Sequence, residues 1–338
     1  MKHIFEPAML GDISLKNRLI RSATWEGLAD DEGRMPEELF RVYESLAKGG
    51  VGAIITGFTS VADDDHYFGG MARISRDGLL EDHARLVKIC HDENVPVIVQ
   101  LALGEFNRGN RRNLDVDDME AEDVAAVIRR FVLAAKRAKA TGYDGVQIHA
   151  AHNFFLSRFI SPAYNHRRDE YGGTAEGRGK ILRSILQGVK EAAPDFHVTM
   201  KINCSDFIAG GLLPRESLAI CQMLADAGLD SVEVSGNGTS VAGIRPGMNE
   251  AYFKEFALAL ADRVDIPVIL VGGHRSVENM EKVLNEGKIE FLSLSRPLLR
   301  EPDLPRRWQE GEASPSKCVS CNRCYQTPGH ACVFRLRE

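Results

Sequence analysis

The sequence predicts an α/β protein, a closed (β/α)8 TIM barrel with a short Cys-rich C-terminal tail. Three observations predict it. Apolar, β-branched runs alternate with helix-spaced segments from about residue 18 to residue 299. The runs number eight, and most are too continuously apolar for a half-exposed sheet, the pattern of parallel strands covered by helices. No composition shift or low-complexity linker interrupts the alternation, which favours a closed barrel over a doubly wound open sheet.

The strand candidates are 18–24, 51–58, 95–102, 144–150, 197–203, 230–236, 266–273 and 290–296. Between them, residues 123–140 place Val124, Val127, Phe131, Ala134 and Ala138 at helical spacing, with Lys and Arg on the other face. Segments 180–193 and 216–228 read the same way. Gly142, Gly228 and Gly287 follow helical segments and suit left-handed caps. Residues 1–311 are therefore read as one barrel and 312–338 as the tail.

Composition narrows the function. The 338 residues carry 42 Lys+Arg against 48 Asp+Glu, a formal charge of −6, with 44% hydrophobic and 27% charged residues. That balance argues against nucleic acid as the main partner, since no general positive field exists to hold phosphates. No apolar run approaches the roughly 18–20 residues of a membrane span. The opening MKHIFEPAML lacks the apolar core of an export signal, so a cytoplasmic location is expected. Of seven cysteines, Cys90, Cys204 and Cys221 are scattered and read as core residues, and the rest cluster near the end.

Barrel chemistry sits at the C-terminal ends of the strands. The densest signal there is HAAHNFFLSRFISPAYNHRRDEYGG (149–173), which starts at the end of the fourth strand. His149 and His152, spaced i, i+3 on a tight turn, can point both imidazoles into the mouth and hold a carbonyl oxygen or developing anion. Gly272 and Gly273 follow strand seven, and Ser295 and Arg296 follow strand eight, where barrels commonly bind phosphate. Lys201 lies between Met200 and Ile202 in an apolar strand. The runs at Asp63–Asp65 and Arg108–Arg112 read as solvated loop faces, and DDDHYFGG as a candidate lid.

The H-A-A-H motif followed by S-P-x-x-N-x-R-x-D-x-Y-G-G resembles the old yellow enzyme family of FMN-dependent oxidoreductases. LKNRLIRSAT (15–24), VQLA (99–102), VGG (271–273) and SRPLLREPDLPRRW (295–308) extend the resemblance along the whole barrel. It implies one FMN across the barrel mouth, taking hydride from NADH or NADPH and passing it through flavin N5 to an electron-poor small-molecule substrate, with α,β-unsaturated carbonyls as one class. By the same resemblance, Ala23 and Thr24 approach the isoalloxazine, and Gly57 permits close backbone approach. Gln100 meets the pyrimidine edge, Lys201 faces N1 and O2, and Gly272, Gly273, Ser295 and Arg296 surround the phosphate end. His149 and His152 are the catalytic candidates that orient the substrate oxygen.

This sequence also departs from the family pattern. The family's proton-donating Tyr is replaced by Phe154, which carries no proton to give. Trp25 stands where Cys or Thr is common, Leu103 where His often follows, and Ser295 where Gly is common. Trp25, Phe154 and Tyr67 are the substrate-side candidates, with Tyr67, His152 or water as the remaining proton sources.

The tail, CVSCNRCYQTPGHAC (318–332), spaces Cys318, Cys321, Cys324 and Cys332 as C-x2-C-x2-C-x7-C. Such thiolates suit a [4Fe–4S] cluster or tetrahedral zinc. C-x-x-C-N-x-C resembles the iron–sulfur segment of trimethylamine dehydrogenase and 2,4-dienoyl-CoA reductase, longer relatives with further nucleotide-binding domains. A second reading is therefore a flavin/iron–sulfur electron-transfer module serving a redox partner protein. A third is a flavin-free lyase using Lys201 as a Schiff-base nucleophile. The substrate, the nicotinamide preference and homo-oligomer formation stay open at this stage.

Overall fold

Eight parallel strands close on themselves. They are β1 (Leu19–Arg21), β2 (Ala53–Ile55), β3 (Val97–Ala102), β4 (Gly145–Ala150), β5 (His197–Asn203), β6 (Ser231–Ser235), β7 (Val268–Val271) and β8 (Phe291–Leu294). β8 pairs with β1 through Leu292↔Leu19, and β2 pairs with β3 through Ile54↔Val97, which shuts the cylinder. The computed structural model describes residues 1–238 and 241–337. All eight expected strand regions hold a strand.

The principal helices are α1 (Glu37–Lys48), α2 (Leu80–His91), α3 (Ala121–Ala140), α4 (Ala175–Ala192), α5 (Pro214–Asp226), α6 (Lys254–Ala261), α7 (Val277–Glu286) and α8 (Leu304–Gln309). α3 starts on a reciprocal box between Glu120 and Asp123, and its buried face carries Val124, Val127, Phe131, Ala134, Ala135 and Ala138. Gly142 and Gly228 are left-handed (φ 91° and 94°), as expected of residues just past a helix end. Gly287 is a correction: its backbone is extended (φ −169°), and a Cβ there would meet the Leu258 side chain at 2.7 Å. Close packing explains that glycine.

The barrel interior is graded along its axis. A hairpin of Ala8–Leu10 and Ile13–Leu15 supplies Leu10 and Leu15, which pack with Ile20, Ile98, Ile269 and Phe291 as an apolar floor. Further up, the alternation that pointed those residues inward places Gln100, Gln147, Lys201, Glu233 and Ser293 there, all buried. Polar side chains so placed must satisfy one another, because water is excluded.

Two further expectations concern loops and the tail. Asp65 is buried, not solvated: its carboxylate accepts from Ser60 Oγ (2.7 Å) and Gly104 N (2.9 Å), tying the loop after β2 to the end of β3. The tail has no α-helix among its described residues, only short 3₁₀ turns at Arg323–Gln326, Pro328–His330 and Arg335–Arg337. It folds back over the barrel mouth. Ser316 N donates to Arg275 O, and the buried Arg275 guanidinium donates to Cys318 O (3.0 Å) and Ser320 Oγ (2.7 Å). Cys90, Cys204 and Cys221 are buried, and burial pushes each thiol up to about 12. No helix among the described residues is long and apolar enough to cross a membrane.

Candidate active site

A cavity of about 360 Å³ opens at the C-terminal mouth. That volume falls within the roughly 300–1,000 Å³ of small-molecule pockets. Ala23, Thr24, Trp25, Gln100, His149, His152, Phe154, Lys201, Gly272, Gly273, Ser295 and Arg296 all border it. Two expected residues do not. Gly57 lies behind the wall, where its N–H donates to Tyr43 Oη (2.8 Å) and a Cβ would strike Glu26 Oε2 at 2.4 Å. Tyr67 packs outside, its ring against Phe68 and Phe154, while Phe68 takes the lining position.

A buried polar belt supports the base. Lys201 Nζ donates to Ser22 Oγ (2.7 Å) and pairs with Glu233 Oε1 (3.1 Å). Glu233 also accepts from Ser22 Oγ, Ser293 Oγ and Gln147 Nε2, and Gln147 Oε1 accepts from Gln100 Nε2. Burial by itself would raise the Glu233 carboxyl, but Lys201 and these donors hold it below the ordinary value. Burial draws Lys201 down, and Glu233 opposes that shift. The result is a fixed, hydrogen-bonded ion pair. Glu233 and Gln147 escaped the sequence reading; the available signal was a carboxylate in the middle of a buried strand, in phase with Ser231 and Ser235.

His149 lies in β4, paired with Lys201, and His152 lies on the left-handed turn that follows, with His152 at φ 63° and Asn153 at φ 62°. Asn203 Oδ1 steadies it by accepting from His152 N (3.1 Å). The rings lie 5.1 Å apart between centroids. His152 Nε2 is 2.8 Å from Ser235 Oγ, whereas His149 Nδ1 is buried with no hydrogen-bond partner. Burial, reinforced by neighbouring positive charge, keeps His149 well below the usual imidazole range and His152 down to about 3. Burial thus favours the neutral imidazole at both positions, each with one ring N–H to give.

An aromatic wall adjoins the histidines. Trp25 stacks on Phe58 (5.4 Å, 24°) and meets Phe68 at 4.9 Å; Phe58 meets Phe154 at 5.0 Å, and Phe154 meets His149 at 4.5 Å. At the far side, Gly272 (φ 130°) and Gly273 (φ 83°) adopt backbone that favours glycine, and a Cβ on either would press on Tyr252. Thr24 Oγ1 and Ser295 Oγ lie 2.7 Å apart. Arg296 donates to Val241 O (2.9 Å) and Asn322 Oδ1 (2.5 Å).

These residues fit the FMN that the resemblance implies. A buried cation faces the cavity base, an unpaired imidazole nitrogen awaits a partner, and a glycine pair lies beside an arginine where phosphate binds in barrels. The tail contributes residues that sequence reasoning passed over as spacer: Tyr325 and His330 also border this cavity. Cys318, Cys321, Cys324 and Cys332 together border a second, small cavity, which shares Arg296 with the first. Among the described residues no set of three or more His, Cys, Asp or Glu is already drawn together as a metal centre.

Comparison with known proteins agrees with this architecture. The family model described as NADH:flavin oxidoreductase / NADH oxidase matches residues 3–115 and 104–314. A 4,4'-dithiodibutanoate disulfide reductase of Rhodococcus erythropolis is 28% identical over 98% of this chain and 95% of its own length. An NADH oxidase of Thermoanaerobacter brockii is also 28% identical, over 95% of this chain, but the match spans only 53% of that protein. The solved structure of a 2-naphthoyl-CoA reductase in complex with 2-naphthoyl-CoA superimposes with a TM-score of 0.87 at 22% identity, covering 96% of this chain and 54% of that one. The chain belongs to the NADH:flavin oxidoreductase / NADH oxidase family.

Proposed function

We propose that this chain is an FMN-dependent oxidoreductase that passes electrons from NADH or NADPH to a flat, electron-poor substrate whose oxygen is held by His149 and His152. The observation that carries this reading is the buried, unpaired His149 Nδ1 in a cavity that also carries an aromatic wall. FMN, when bound, supplies hydride exchange between the nicotinamide and the substrate. The chain's residues do the rest. Lys201, paired with Glu233, places an ammonium where reduction adds negative charge. Gln100 presents to the cavity what its bond to Gln147 leaves over. His149 and His152, both neutral, donate N–H to a carbonyl or similar oxygen and strengthen as charge develops on it. Phe154 gives no proton, so the site polarises its substrate and receives the proton from a donor other than residue 154.

Anaerobic absorption spectroscopy tests the reading. Purified protein is expected to be yellow, to release FMN on heating and to bleach with NADH or NADPH under argon. Colourless folded protein that takes up no added FMN would refute it.

A second component rests on the four thiols around one cavity, bordered by the Arg296 that also borders the first. We propose that they take up a [4Fe–4S] cluster, with zinc as the alternative, and that a cluster there exchanges electrons with a partner protein. Cys318 Sγ accepts from Arg275 Nη2 (3.7 Å), which ties that sulfur to a buried guanidinium at the cavity edge. Iron and zinc analysis of the same anaerobic sample decides between the two metals.

A further inference from the structure

The tail does more than carry thiols. Ring contacts run without a break from it to the histidine pair. Tyr325 meets His330 edge-on at 5.4 Å, and His330 meets Trp25 edge-on at 4.8 Å. Trp25 continues through Phe58 to Phe154, which lies 4.5 Å from His149. Tyr325 and His330 both border the substrate cavity, and Tyr325 keeps 53% of its surface exposed. An aromatic residue so exposed beside a cavity offers a face to a ligand.

The loop that presents these rings is closed at its base. Thr327 Oγ1 donates to Cys324 O (2.8 Å) and to Ala331 O (2.6 Å). Gly329 (φ 63°) lets the turn settle against Leu28, where a Cβ would approach Leu28 Cδ2 at 3.2 Å. Cys324 and Cys332 bracket the segment, so whatever joins the thiols also clamps both of its ends.

We propose that Tyr325 and His330 form the outer wall of the substrate compartment, selecting a flat conjugated ring, and that metal held by the four cysteines fastens that wall in place. The proposal deepens the reading of this cavity as the substrate site and rests on it. It makes the metal a determinant of substrate affinity, separately from any electron transfer. An edge-to-face or offset aromatic contact contributes about 0.5–1.5 kcal/mol, so losing one ring weakens binding roughly twofold to twelvefold.

The test uses the full-length protein with bound FMN, prepared anaerobically, and calorimetric titration with 4-hydroxybenzaldehyde, a flat phenol with an oxygen for the imidazoles. Tyr325→Ala and His330→Ala are each expected to weaken the probe by that factor while FMN and metal content hold. Tyr325→Phe, which keeps the ring, is expected to bind as the parent does. Cys321→Ser/Cys324→Ser, stripped of metal but still carrying FMN, is expected to lose about as much affinity as the Tyr325→Ala/His330→Ala pair.

Unchanged affinity in the Tyr325→Ala/His330→Ala variant overturns the wall. Parent-like affinity in the metal-free cysteine variant, or a parent protein that contains neither iron nor zinc, overturns the fastening. Failure of the underlying reading shows differently, as a parent protein that lacks FMN or does not bind the probe, and it takes the proposal with it. FMN stoichiometry in every variant separates a misfolded barrel from a lost wall.

Discussion

The barrel mouth and the cysteine-rich tail meet at Arg296, which borders both cavities, yet opposite means hold them. The mouth is fixed by regular strands whose inward side chains satisfy one another: the Glu233 carboxylate accepts from Ser22, Ser293 and Gln147 and pairs with Lys201. The tail has almost no repeating structure and hangs on a few side chains, chiefly Arg275 donating to Cys318 and Ser320 and Glu301 accepting from Ser316 and Lys317 N. One region is preorganised by the fold. The other hangs on isolated side-chain contacts, so the metal proposed for its thiols would decide how firmly it sits over the site.

The largest expected effect comes from breaking the belt. Glu233→Gln leaves the buried Lys201 ammonium without its counter-charge, and Lys201→Met leaves the carboxylate stranded in the same way. Removing one member of a buried pair costs about 3–5 kcal/mol, whereas removing both is far milder. Urea unfolding should therefore show both single variants strongly destabilised and the Lys201→Met/Glu233→Gln double variant recovering most of the loss. A double variant no better than its parents would mean that the belt does not act as a pair.

A smaller effect is expected on the tail side. Arg275→Ala deletes three contacts to residues 318–320, each a hydrogen bond worth about 1 kcal/mol net. Those contacts serve the tail, so trypsin should cut at Lys317 and Arg323 well before it touches the barrel, while the parent resists. Equal cleavage rates in parent and variant would show that the tail is held by something other than Arg275.

The same contrast explains what was legible in the sequence. Barrel strands announced themselves because burial on both faces forces continuous apolar runs, and strand ends located His149, Lys201 and Arg296 at the mouth. Gly57 and Tyr67 were misplaced because they follow β2, where the loop turns away and Phe68, one residue on, takes the lining position. Glu233 was hidden by its apolar neighbours. Tyr325 and His330 were invisible for a deeper reason: a seven-residue spacer between thiols has no periodicity, and only tertiary folding shows where its rings go. Asp65 looked solvated because its partners, Ser60 and the Gly104 amide, lie outside its charge run.

The subtlest contrast is in pH dependence, where buried groups of the barrel pull in opposite directions. His83, His197 and His274 are pushed by burial down to about 4, so each contributes stability that is present above about 6.5 and lost as the pH falls toward 4. Glu26 runs the other way. Burial, only partly offset by Arg21, raises its carboxyl to about 7, so its contribution is present at low pH and lost as the pH rises from about 4.5 through 7. Between these limits the unfolded chain gains about five protons on the buried histidines, His149 and His152 among them, and gives up about one at Glu26 relative to the native state. Stability should thus climb with pH from 4.5 to 6.5, less steeply than the histidines alone dictate. Glu26→Gln removes the opposing proton, so the climb should steepen by about 1.4 kcal/mol per pH unit, with the variant gaining most above pH 7. An unaltered slope in urea titrations across that range would show that Glu26 is already ionised in the native protein, with Arg21, 3.6 Å away, outweighing the cost of burial.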